Sequence, residues 1–87
     1  MITKEHQHYA RKAFNDTRKE IDRFFEGETA ISERAILNLF DLQLAFFSSL
    51  LAFDLICTEQ AHFLAQQTGD YLKAKIEQFD NNGGTIL

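Results

Sequence analysis

The stretch from Ala35 to Cys57 holds 17 apolar residues out of 23 and contains neither glycine nor proline. That combination constrains the fold more than any other feature. A run this long without a helix breaker reads as helix. The chain has no proline anywhere, and its four glycines are Gly27, Gly69, Gly83 and Gly84, so breaks are confined to a few points. Valine, on which sheet proteins draw heavily, is absent. The expectation is an all-α fold.

Apolar residues in this run surround most of the helix: Ile36, Leu37, Leu39, Phe40, Leu42, Leu44, Phe46, Phe47, Leu50, Leu51, Phe53, Leu55 and Ile56. The strip Arg34, Asn38, Asp41, Ala45, Ser48 and Ala52 is polar or small. A helix apolar on most sides must be covered on most sides. The length approaches that of a membrane span. Asn38, Asp41, Gln43 and Asp54 interrupt it, and each aspartate at a bilayer centre costs roughly 2.5–3.5 kcal/mol, which argues against insertion.

Upstream, Ala10, Phe14, Thr17, Ile21 and Phe24 are spaced four, three, four and three residues apart. This is one stripe of an amphipathic helix, predicted over Thr3–Glu26, with Thr3 as N-cap and Gly27 as terminator. The short Gly27–Thr29 connection returns the chain antiparallel. Thr29 or Ser32 caps the second helix, which runs from Ala30 to at least Gln67. Thr58–Phe79 is amphipathic again. It is either a continuation, kinked near Thr68-Gly69-Asp70, or a third helix capped by Thr58. Residues 81–87 read as a flexible tail. The predicted architecture is a single-domain helical hairpin with unequal arms. Its surplus apolar surface is buried by a second copy in a helical-bundle homodimer.

The net charge of −4 argues against a binder that works by neutralising nucleic-acid phosphates. Cys57 is the only cysteine, which excludes an internal disulfide and fits a reducing, cytoplasmic setting. The N-terminal residues are polar and show no secretory leader.

The sharpest chemical spacing is Glu-x-x-His, at Glu5/His8 and Glu59/His62. Di-metal helical bundles use such pairs together with glutamates from other helices. Both pairs fall on polar faces, and the apolar run holds no glutamate to complete a site. Solvated surface residues are the simpler reading, with Glu59 and His62 the only metal candidates. Asp41 and Asp54 lie about 20 Å apart by helical rise and cannot share a substrate. No nucleophile–base pairing is legible, so the expectation is not an enzyme and no cofactor.

The functional expectation is a non-enzymatic protein–protein interaction module of adaptor, inhibitor or immunity type. It self-associates through the apolar helix 36–57, with Phe40, Leu44, Phe47, Leu51 and Phe53 as contact residues, and binds an unidentified partner protein. A lipid- or granule-surface binder using the Phe/Leu run is the second reading, and a metal-binding bundle the third.

Overall fold

The computed structural model describes all 87 residues. Helix α1 spans Lys4–Phe25, strand β1 Ala30–Ile31, helix α2 Glu33–Ala52, helix α3 Thr58–Asn81 and strand β2 Thr85–Ile86. Helices make up 76% of the chain. They pack up–down–up into a rod of 45 × 18 × 17 Å, with α1 and α2 both lying closely along α3.

Helix α1 forms where its stripe predicts. The Thr3 hydroxyl accepts from the His6 backbone N–H, and the His6 ring Nδ1 accepts in return from the Thr3 N–H. These two bonds satisfy donors that the first turn leaves free. With Nδ1 accepting, the ring proton sits on Nε2, which donates to the Asp54 carbonyl at 3.2 Å. The start of α1 is thereby tied to the α2–α3 turn. At the other end, Gly27 adopts φ +74°, completing a turn that reverses the chain.

The second helix differs from the sequence expectation at both ends. It begins at Glu33, capped by Ser32, because Ala30 and Ile31 are extended. It stops at Ala52 instead of reaching Gln67. The stop is made by Asp54, which takes the left-handed conformation at φ +59°. The Asp54 N–H donates to the Leu51 carbonyl and the Leu55 N–H to the Leu50 carbonyl. That pair of bonds is a Schellman termination, usually built on glycine. Aspartate and asparagine reach this region more readily than other residues with a side chain. Thr58–Asn81 is therefore a separate third helix, with Cys57 in place of Thr58 at its N-cap and the Gln60 side chain accepting from the Cys57 N–H. Gly69 lies inside it without breaking it.

Residues 81–87 are not a free tail. Asn81 still belongs to α3, and Gly83, at φ +89°, turns the chain back. Strand β2 then pairs in parallel with β1, Ala30 against Thr85 and Ile31 against Ile86. The Leu87 N–H donates to the Ile31 carbonyl, and the Leu87 carbonyl accepts from the Glu33 N–H at the start of α2. Gly84 presses against the Phe79 ring so closely that a Cβ would overlap it. A parallel pair two residues long is too short to read from alternation in sequence.

The core has two apolar clusters. One holds Ile21, Ile31, Ile36, Leu39, Leu72 and Phe79; the other holds Ala13, Phe47, Ile56 and Leu64. Between them each helix contributes one buried polar residue: Thr17, Gln43 and Thr68. Each stands four residues from a core residue on either side, in the rows Ala13-Thr17-Ile21, Leu39-Gln43-Phe47 and Leu64-Thr68-Leu72. The Thr17 hydroxyl donates to the Gln43 side-chain oxygen at 2.9 Å. The Thr68 hydroxyl is fully buried and has no hydrogen-bond partner.

Two contrasts follow. Thr17→Val strands the Gln43 carbonyl and lowers unfolding stability by about 1–3 kcal/mol, whereas Thr68→Val removes an unpaired hydroxyl and is neutral or stabilising. Asp54→Gly keeps the turn and stays within about 1 kcal/mol of the parent, whereas Asp54→Val loses about 1–2 kcal/mol. Urea unfolding of the four variants measures both.

Candidate interaction surface

The third helix changes which parts of the apolar run remain open. Phe47 is 2% exposed and belongs to the bundle's own core. Phe40 packs on the first cluster, while Leu44 and Leu51 pack on the second. Of the five contact residues expected from sequence, only Phe53 is exposed, at 78%. The covering that the sequence reading assigned to a second copy comes largely from α3 of the same chain.

Three of the large apolar residues that remain exposed, Leu42, Phe46 and Phe53, lie on the flank of α2 nearer α1. Leu42 is 64% exposed and Phe46 39%. With Ser49 and Phe53 they are spaced four, three and four residues apart, which places them in one row along the helix. Ala45 and Ala52 lie beside this row and are also exposed. No charged side chain interrupts α2 between Leu42 and Phe53. Leu37, another exposed apolar residue, sits on the opposite flank of α2, and Phe63 is on α3.

Beside the row, α1 and α2 enclose a groove of about 350 Å³. Leu42, Gln43, Ala45, Phe46 and Ser49 form one side, and Asp16 and Glu20 the other. Gln43, which lines the groove, accepts a hydrogen bond from the buried Thr17 of α1. The sequence reading places Thr17 in the apolar stripe of α1 and Gln43 as an interruption of the run, and does not foresee the bond between them.

The polar positions do not converge on chemistry. Glu59 and His62 stand exposed on α3, as do Glu5 and His8 on α1. No three His, Cys, Asp or Glu side chains come together in a way that could hold a metal ion. Asp41 is exposed on α2, and the Asp54 carboxylate lies 3.7 Å from His6 Nε2.

The one coupled polar group staples α1 to α3. The Tyr71 hydroxyl donates to Asp22 Oδ1 at 2.5 Å, and Lys75 Nζ lies 3.0 Å from the same oxygen. The Tyr71 hydrogen bond, followed by Lys75, holds the Asp22 carboxyl below its ordinary value of 3.8. The bond to Asp22 raises both the Tyr71 phenol and the Lys75 ammonium. A carboxylate lowered in the folded state stabilises above its ordinary value, and that contribution is lost as pH falls through the folded value. A raised phenol and ammonium stabilise below their ordinary values, 10.0 and 10.5, and that contribution is lost as pH climbs past the folded ones.

Asp22→Asn is expected to lower stability near neutral pH by about 0.2–1 kcal/mol, since the group is half exposed. It should also flatten the decline in melting temperature below pH 4, which differential scanning calorimetry across pH reads directly. No family model matches the chain, and no curated protein or solved structure matches it either, so the functional reading rests on these residues.

Proposed function

We propose that this protein is a non-enzymatic interaction module that self-associates through the row Leu42, Phe46, Ser49 and Phe53 on α2. The carrying observation is the charge-free, apolar and exposed row on a folded three-helix bundle. With the adjoining Ala45 and Ala52 it presents on the order of 500 Å² of surface, taking roughly 150–250 Å² for a whole aromatic side chain. A contiguous apolar patch of this size is about the largest that a monomer ordinarily carries, and such a patch is often functional. Two such faces, fully covered, bury at most about 1,000 Å², at the threshold of a specific interface and in the range of weak, transient association. The row itself carries no charge, although Asp16, Glu20 and Asp41 border it, and the same row on a second copy supplies an equally uncharged complement.

A lipid surface is the second reading, because α2 alone is long and apolar enough to cross a membrane. The buried Gln43 bonded to Thr17 on α1 favours the soluble bundle, since inserting α2 would strip both groups of their partners.

The test pairs Leu42→Glu/Phe46→Glu with Leu37→Glu on the opposite flank. In size-exclusion chromatography with light scattering, the parent and Leu37→Glu run as dimers and the double variant runs as a folded monomer. A monomeric parent that floats with phosphatidylcholine–phosphatidylglycerol vesicles contradicts self-association and supports the lipid reading.

A further inference from the structure

We infer that the two copies pair antiparallel about a two-fold axis between residues 47 and 48, each Phe53 ring seating over Leu42 at the partner's α1–α2 groove. This rests on the self-association proposed above and adds its orientation and register. The row is spaced four, three, four, a pattern that reads the same in both directions along α2. Reversing it about its midpoint sets Leu42 opposite Phe53 of the second copy and Phe46 opposite the second copy's Ser49. Bulky side chains then meet a smaller one or a hydroxymethyl group, which is how facing helices interdigitate.

A parallel arrangement sets Phe46 on Phe46, Ser49 on Ser49 and Phe53 on Phe53. Large groups then collide and the serines leave a void, both of which destabilise a packed interface. Antiparallel α2 helices also align their dipoles favourably.

The structure supplies the other half of the fit. Phe53 is the most exposed phenylalanine in the chain and lies at the helix end, where the Asp54 turn holds it clear of its own bundle. Leu42 is both the far end of the row and a wall of the groove of about 350 Å³. Asp41 lies about 100° around the helix from Leu42 and about 20° from Ala52, so it borders the contact on the side of the two alanines. By helical rise Leu42 and Phe53 are about 16 Å apart along α2. In the antiparallel pair, equivalent positions of the two copies are therefore far apart while Leu42 and Phe53 are close.

Cross-linking separates the arrangements. Leu42→Cys and Phe53→Cys are made in a Cys57→Ala background, one carrying a tag that changes its mass, and treated with a short bis-maleimide. The expected result is a mixed cross-linked dimer when the two are combined, at least tenfold more abundant than any product from either alone. Because each substitution trims the interface, the unaltered chain is also examined by isotope-filtered NMR. Contacts are expected between the Phe53 ring of one copy and the Leu42 methyls of the other. Self-cross-linking of either variant alone, or a dimer lacking these contacts, overturns the orientation and leaves self-association standing. A monomer with neither product nor contacts overturns both.

Discussion

The left-handed turn at Asp54 decides how much of the apolar run this chain can cover by itself. Without it, α2 and α3 would be one helix about 70 Å long, with α1 as its only neighbour. With it, α3 folds back along α2 and receives Phe47, Leu44 and Leu51 on one side. The turn is secured by its two Schellman hydrogen bonds and by the bond from His6 Nε2 to the Asp54 carbonyl. The second contact joins the start of α1 to the far end of α2, so the three helices are fixed at that end by polar groups as well as by packing.

The opposite end is held differently. There β2 pairs with β1, and the Leu87 carbonyl takes one of the free N–H groups of the first turn of α2. Between the ends, the Thr17–Gln43 bond joins α1 to α2 within the core. A one-residue slip of either helix would break that bond and bury two unpaired polar groups, a penalty that apolar packing alone does not impose. Gln43 of this layer also lines the groove, with Leu42 and Phe46 on the same side.

The sequence carries α1 almost completely, because its stripe, its Thr3 cap and its Gly27 stop are all local signals. It carries the existence of α3 only as one of two alternatives. The deciding residue, Asp54, is no strong breaker, and its conformation depends on backbone bonds that periodicity does not reveal. The β1–β2 pair is illegible for a different reason: it joins residues more than fifty positions apart through two residues each. The apolar run has two neighbours in its own chain, α1 and α3, where the sequence reading assumes one and a second copy. The residues chosen to meet a partner, Phe40, Leu44, Phe47 and Leu51, were instead those nearest to α3. Burial on a helix follows the direction of its neighbours, and a run apolar on all sides gives no sign of which side the neighbours occupy.

The proposed dimer requires that a second molecule of the same chain cover the remaining row. Sedimentation equilibrium of the unaltered protein over a hundredfold range of concentration measures this directly. The predicted result is a mass approaching twice 10.1 kDa as concentration rises. A mass that stays at 10.1 kDa throughout would contradict it.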